Sequence, residues 1–468
     1  MIKKLPAYCL KIIDKFQKNG FSIQIVGGAV RDLISDKSAN QIKDWDFATN
    51  AKPDQTLKLV GGFYDNKYGT VKIPLSKIDP TQIESREQIE ITTYRSEKGY
   101  LDKRHPDKIE WGKTIEEDLK RRDFTINAIA LQLTSFTSGK LSYEIIDPFG
   151  GQQDLQSKII RTVGDPDERF SEDSLRLLRA VRIATQTQFT IENKTFESIK
   201  KNASLIQNIS QERIRDELFK ILATDFAYDG FMMLRNTGLL ELVLPEVEKC
   251  FGIEQKSIHR HHIYDVGNHL FFSLKFCPSK DPLVKFATLL HDVGKPETAG
   301  KDKRGTITFY NHEVAGAKIA RQISDRLHLT RKEREKLVTL VRWHQFSVDE
   351  ATTLTAARRF IQRVGKDYIK DMIDLRIGDR LGGGLKEATS WRLNRFLNLI
   401  EKVLNPPFSI RDLAINGNDV MEKLNIKPSP QVGKILNKIF EAVEEGKAKN
   451  TKENLLIRLE EFKQKAQK

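Results

Sequence analysis

The character of this chain changes at Pro148, and that change constrains its fold class more than any other feature. Before it stand short β-rich runs, SIQIV (22–26), GTVKIPL (69–75) and QIEITTY (88–94), separated by Gly, Asp and Pro turns. After it long helical patterns dominate, such as SEDSLRLLRAVRIATQ and SQERIRDELFKILAT. Each is opened by a Ser suited to N-capping and carries acidic residues in its first turn. The expectation is an α+β chain, a mixed-sheet head followed by helices. MIKKLPAYCLKIIDKF at the N-terminus reads as an amphipathic helix rather than a signal peptide, because Lys11, Asp14 and Lys15 interrupt any apolar core.

At 468 residues, 39% hydrophobic and 30% charged, the chain has the size and composition of a soluble protein of two to four domains. No run approaches the roughly 18 apolar residues of a membrane span. Cys9, Cys250 and Cys277 are few, odd in number and far apart. They imply neither a disulfide framework nor a cysteine metal site, and a reducing, cytoplasmic location is expected. The formal charge of +14 exceeds what solubility requires. A phosphate-rich partner accounts for it, although charge alone does not separate RNA, DNA or an acidic membrane surface.

The head carries the chemistry. IVGGAVRDLI (25–34) reads as a strand turning into a helix through Gly27 and Gly28, where backbone can approach a ligand and helix-start N–H groups favour phosphate. Arg31 and Asp32 follow. KDWDFAT then places Asp44 and Asp46 two apart, on one face if both lie in a strand. Two adjacent carboxylates repel unless cations lie between them. Glu90 in IEITTYR offers a third acid from a neighbouring strand. Three acids on one sheet face suit two Mg²⁺ ions in an in-line phosphoryl transfer.

The order GGAVRD, DWDFAT and RRDFTINAIA (121–130) resembles the class II tRNA nucleotidyltransferases, the CCA-adding enzymes and their bacterial poly(A) polymerase relatives. The resemblance continues through IIDPFGGQQDL (145–155), EDSLRLLRAVR (172–182) and ERIRDEL (212–218), and resumes at LAINGNDVMEKLNI. It implies a polymerase-beta-like nucleotidyltransferase head, Mg²⁺ as cofactor, CTP and ATP as substrates and the acceptor end of tRNA as partner. It also implies that Arg122, Asp123 and Asn127 bind the ribose and phosphates of the incoming nucleotide.

Asp173 and Arg176, i and i+3 on an expected helix, share a face. Cytosine and adenine each present an amine donor beside a ring-nitrogen acceptor, which an Asp and an Arg match. Uracil and guanine present the reverse order. The resemblance assigns base selection to these two positions. Arg179, one turn on, is expected to support that face or the nucleotide, and Glu212 and Arg213 to brace the helix.

HHIYDVGNHLFF (261–272), LLHDVGKPET (289–298), YNHE (310–313), RWH (342–344) and RIGDR (376–380) follow the order of an HD-type phosphohydrolase domain. Imidazoles with a carboxylate suit a divalent metal of undetermined identity. His269, His291, Asp292 and Asp379 match the core ligands of that pattern, with Asp371 and Asp374 close to Asp379. His312 and His344 remain for a second metal or for phosphate. Some family members with such a domain act as 2′,3′-cyclic phosphodiesterases or phosphatases. A degenerate fold kept for packing or tRNA contact is the alternative.

The expected organisation is a head over 1–155, a helical neck over 156–245, an HD region over 246–385 and a helical tRNA-binding body and tail over 386–468. Full CCA addition competes with A-only addition, which no sequence feature excludes. The long segment 96–114 argues against CC-only addition. GGFYDNKYGTVKI (61–73) departs from the arginine-rich pattern ending in His-Val that poly(A) polymerases usually carry. An HD hydrolase with an inactive RNA-binding head is the reading from another class, and the intact acids and arginines of the head oppose it.

Overall fold

The computed structural model describes residues 5–42, 44–64, 69–79, 88–98, 108–137, 140–255, 264–346, 352–404 and 409–466. Parts of several segments weighed above, 65–68, 99–107, 256–263 and 405–408, lie outside the described residues.

The head is built on a seven-stranded sheet. Its strands are β1 (Ile23–Val26), β2 (Asp46–Thr49), β3 (Phe63–Tyr64), β4 (Thr70–Pro74), β5 (Gln88–Thr93), β8 (Ala130–Thr137) and β9 (Lys140–Ile146). The spatial order is β3-β4-β5-β2-β1-β8-β9, with β2 and β5 parallel and every other pair antiparallel. A separate hairpin, β6 (Arg95–Lys98) and β7 (Lys108–Trp111), extends from β5. All four residues of β1 are buried, as a central strand requires. Alternation assigns the two faces. Ile25, Phe47 and Ile91 join the main core beneath the helix Ala7–Lys18, which buries Cys9, Ile12, Ile13 and Phe16. Each such Ile or Phe contributes about 1.5–3 kcal/mol of burial. Val26, Ala48 and Ala130 face the other way, packing with Ile115 and Leu119 of the helix Ile115–Lys120.

Two sequence expectations change here. Asp44 precedes β2 instead of lying in it, because Trp45 is buried and its indole donates to the Ile42 carbonyl (3.1 Å), turning the chain just before the strand starts. Nor does a single helix run from Ser171. The helix Pro166–Glu172 ends at Asp173, whose backbone is extended (φ −139°, ψ 102°), and a second helix runs Leu175–Thr187. The first helix starts at the stronger signal, with Asp165 capping Asp167 and Glu168 and Pro166 in its first turn. Asp173 then accepts from the Leu175 N–H (3.1 Å), which caps the next helix and closes the first.

The helical remainder supports the histidines. His269 lies in Val266–Phe276, His291 at the end of Pro282–Leu290, His312 at the start of His312–Arg326, His344 at the end of Arg331–Trp343 and Asp379 in Ile369–Gly382. The first and last of these helices touch backbone to backbone: a Cβ on Gly382 would come within 2.4 Å of the Ser273 nitrogen. One hydrophobic core runs from Leu5 to Ile400, while Leu413 to Leu459 form a core of their own. The helix Trp391–Leu404 packs Phe396 and Ile400 into the main core, so the separate core begins later than residue 386. No described helix is long and apolar enough to cross a membrane.

Candidate active site and histidine centre

Asp46 and Glu90 are register partners across the parallel β2–β5 pair, so their side chains share a face, and Lys72 of β4 stands 3.3 Å from Glu90. A cavity of about 670 Å³ opens beside them. Asp44, Asp46, Gly27, Gly28, Arg31, Arg122, Asp123, Asn127, Asp173, Arg176 and Arg179 all line it. Of the expected addition-site residues only Glu90 lies off its wall, behind Asp46. The cavity thus brings together residues separated by about 150 positions.

Electrostatics explain why a cation belongs among the acids. Burial pushes the Asp46 carboxyl up to about 6; Arg122 opposes the shift, and Glu90 and Asp44 add to it. The protein's own cations therefore do not offset the burial of the Asp46 carboxylate, which fits a divalent cation bound through oxygen ligands.

Gly27 holds the turn above Asp46 at φ +74°. A Cβ there would meet Arg122 Nη1 at 3.2 Å and Asp46 Oδ2 at 3.3 Å. Gly27→Ala is expected to combine left-handed backbone strain of order 1–3 kcal/mol with displacement of both side chains. Turnover should fall about 10–100-fold, with a lower melting temperature; single-turnover addition and thermal unfolding check this.

Opposite the acids, a relay of hydrogen bonds fixes the RRDF residues. Arg31 donates to Asn127 Oδ1 (2.9 Å), Asn127 donates to Asp123 Oδ1 (3.2 Å), and Arg179 donates to Asp123 Oδ2 (2.5 and 2.8 Å). Burial alone would raise the Asp123 carboxyl, but Arg179 outweighs it and holds the group well below the usual carboxylate range. RRDF follows the helix Ile115–Lys120 instead of opening one, and Thr125–Asn127 form a single 3₁₀ turn. Sequence reasoning passed over Asp118, which is fully buried and pairs with Arg121 (2.6 Å) and Arg122 (3.1 Å). Its spacing of three and four residues before those arginines was a readable signal.

Asp173 and Arg176 straddle the helix break. Arg213 donates to Asp173 Oδ2 at 2.9 Å, so the expected bracing is direct. Glu212 takes no part; it is exposed, 3.6 Å from His328. Arg176 spends three hydrogen bonds on Glu172 (2.5 Å) and the carbonyls of Arg169 (3.0 Å) and Arg121 (2.9 Å), out of the five N–H groups of a guanidinium.

The histidines form a second, buried cluster. Ligand-type atoms of His269, His291 and Asp379 lie within 4.8 Å of one another, as do those of Asp292, His312 and His344. Asp292 joins the sets: its carboxylate is 3.4 Å from His269 and His291, 3.2 Å from His312 and 3.5 Å from His344. Nδ1 of His291, His312 and His344 is engaged by the carbonyls of Thr288, Phe309 and Val341, which leaves each Nε2 turned to the carboxylates. Burial works against charge on His291, yet Asp292 and Asp379 outweigh it and hold its pKa near 10. The proton stands where the carboxylates demand a cation, and the donor set fits a divalent metal. Lys295, 4% exposed, also reaches Asp292 (2.5 Å) and Gln255 (2.7 Å); it was not singled out from the sequence, although it lies one helical turn beyond the HD pair. Asp371 pairs with Lys336 instead and joins neither set.

Comparison with known proteins agrees with this geometry. Residues 23–161 match the poly A polymerase head domain, 188–251 the probable RNA and SrmB-binding site of polymerase A, and 317–459 a putative tRNA nucleotidyltransferase domain 2. The chain is 35% identical over 343 residues to an A-adding tRNA nucleotidyltransferase of Deinococcus radiodurans, covering 70% of this chain and 75% of that one. It is 29% identical to a CCA-adding enzyme of Streptococcus thermophilus, covering 97% and 96%. Its fold is similar to that of the Bacillus stearothermophilus CCA-adding enzyme in complex with CTP, at a TM-score of 0.66 and 25% identity over 98% of both chains. With matching models at the head, the neck and the C-terminal half, and a relative above 30% identity across three quarters of its length, this chain belongs to the tRNA nucleotidyltransferase family with a poly(A) polymerase-type head.

Proposed function

We propose that this enzyme completes the 3′ end of tRNA by adding C, C and A from CTP and ATP without a template. The observation that carries the reading is a single cavity holding both the acids Asp44 and Asp46 and the selecting pair Asp173 and Arg176. Members of this family work with a divalent cation. Here Asp44, Asp46 and Glu90 would hold Mg²⁺, which when bound activates the primer hydroxyl and neutralises the triphosphate. Arg31, Arg122 and Arg179 grip phosphates, while Asp123, oriented by Asn127 and Arg179, accepts from ribose hydroxyls. Arg213 presents Asp173 to the exocyclic amine of C or A, and the remaining donors of Arg176 reach the ring nitrogen. The basic helices that follow hold the acceptor end through backbone and shape, because one enzyme serves every tRNA.

A-only addition is the second reading, favoured by the 35% identity to an A-adding relative. Offering tRNAs that end before, within and after CCA, each with CTP, ATP or both, separates the two. Growth from the bare discriminator base through two C and one A supports CCA addition. Extension only of tRNAs already ending in CC establishes the A-adding reading, and homopolymeric tails overturn both.

The histidine cluster supports a second activity, metal-dependent phosphoester hydrolysis at an HD-type site over 246–385. The reading rests on two ligand sets, of which the second contains Asp292, itself 3.4 Å from both histidines of the first. His291→Ala is expected to abolish phosphate release from 2′,3′-cyclic or 3′-phosphorylated nucleotides while leaving addition within about twofold. A wild type that releases none under Mg²⁺, Mn²⁺, Co²⁺ or Ni²⁺ sinks this reading.

A further inference from the structure

Two cavities outside both centres meet at Phe346, two residues after His344. One, of about 360 Å³, is walled by Phe346, Arg376, Arg380 and Trp391. The other, of about 510 Å³, is walled by Phe346, Trp343, Arg359 and Arg363. Their lining joins large rings to guanidinium groups.

The charges are not arranged for stability. Arg376 and Arg380 are four apart on the helix Ile369–Gly382, a like-charge spacing that costs a helix stability. Arg376 is tied to Asp379 (2.7 Å), and Arg380 donates through Nε to the Ala388 carbonyl (3.2 Å). Trp391 is 57% exposed, an unusual cost for so large a ring, and begins the helix Trp391–Leu404 at the rim of the first cavity. In the second cavity the half-buried Trp343 ring already carries Arg342 at 4.4 Å and Arg363 at 5.2 Å, so the exposed ring is that of Trp391 in the first. Phe360 packs edge to face on Phe396, and Phe346 lies tilted against both rings, which gives the cavities a rigid aromatic floor.

The Arg380 guanidinium, held by a neutral carbonyl, can take an anion, and the exposed Trp391 ring can take a planar partner. An unpaired nucleotide supplies both, with a phosphate for the guanidinium fork and a base face for the ring. Duplex RNA offers phosphates but keeps its base faces stacked inside. The walls come in part from the segments that carry Asp379 and His344.

The geometry points to a landing site for unpaired RNA nucleotides beside Phe346, with a base on Trp391 and a phosphate on Arg380. Binding here does not depend on hydrolysis; only its use to deliver an RNA end rests on the phosphohydrolase reading above.

Hydrogen exchange on the full-length enzyme tests it, with EDTA present so that neither centre turns over. An unstructured ribohexamer is compared with a blunt RNA duplex of equal phosphate number. The hexamer should slow exchange across 376–391, and its dose dependence there measures the local affinity. Trp391→Ala should weaken that affinity about tenfold. Arg380→Ala should reduce the slope of log affinity against log salt by about 0.7. Both positions are at the surface or partly so, and unchanged melting temperatures establish that the variants fold. Duplex protection equal to that of the hexamer, hexamer protection confined to other segments, or wild-type affinity in both variants would overturn the proposal. Phosphate release from 2′,3′-cyclic and 3′-phosphorylated nucleotides under added Mg²⁺, Mn²⁺, Co²⁺ or Ni²⁺ is scored in parallel. An inert wild type there defeats the hydrolase reading alone and leaves the exchange result to decide the landing site.

Discussion

Asp46→Asn should reduce nucleotide addition by about a thousandfold or more while leaving the fold and nucleotide binding nearly intact. Asp46 sits between Glu90 across the sheet and Asp44 two residues earlier, with Arg122 and the Gly27 turn above it. The amide keeps the shape and removes the charge that holds a cation. Metal-assisted charge stabilisation contributes several kcal/mol to the transition state, and each 1.36 kcal/mol is a factor of ten in rate. Burial already disfavours the Asp46 charge, so neutralising it should not lower stability. The measurement is single-turnover incorporation of CMP at saturating Mg²⁺, beside CTP binding without metal. Addition within tenfold of wild type would remove Asp46 from the metal site.

Asp173→Ala should collapse the preference for CTP over UTP. A site that pairs hydrogen bonds with its substrate can reject a mismatched analogue by about 10⁴–10⁵, because the mismatch strands buried polar groups. Removing the acceptor deletes both the match to C and the repulsion of the uracil carbonyl. The CTP/UTP ratio of kcat/KM should fall at least a hundredfold, more through loss of CTP use than gain of UTP. Arg213 loses its partner in the same variant. Arg213→Ala separates the effects: it leaves Asp173 in place but unbraced and should relax selection less. Unchanged discrimination in Asp173→Ala would place base choice elsewhere in the cavity.

Local chemistry made much of this site legible in the sequence. The alternation of QIEITT is that of a strand with one buried face, and β5 shows it residue by residue. Gly27-Gly28 read as a strand-to-helix turn, and the positive φ of Gly27 is its physical content. The break at Asp173 was obscured because Ser171 and acidic neighbours imitate a helix start, while the stronger Asp165-Pro166 signal lay six residues upstream. Tertiary electrostatics were harder to read. That Arg179 would reach back 56 positions to Asp123, or Arg213 40 positions to Asp173, depends on how the neck helices pack on the head. The domain pattern grouped His269, His291, Asp292 and Asp379, but only the fold places Asp292 with His312 and His344 while keeping it 3.4 Å from His291.

The continuous core from Leu5 to Ile400, with the separate one from Leu413 to Leu459, has a consequence for how this enzyme tolerates change. A cavity cut into the main core is felt by its close-packed neighbours, while the cluster of Val26, Ala48, Ala130 and Leu119 packs the Asp46 face of the sheet separately. The last 55 or so residues pack a core of their own and meet the main block through polar contacts, Arg358 with Glu444 and Thr355 with Glu445, and through Arg358 over the Phe440 ring. A substitution in the tail core is therefore felt by the main block through Arg358 and Thr355 rather than through shared apolar packing.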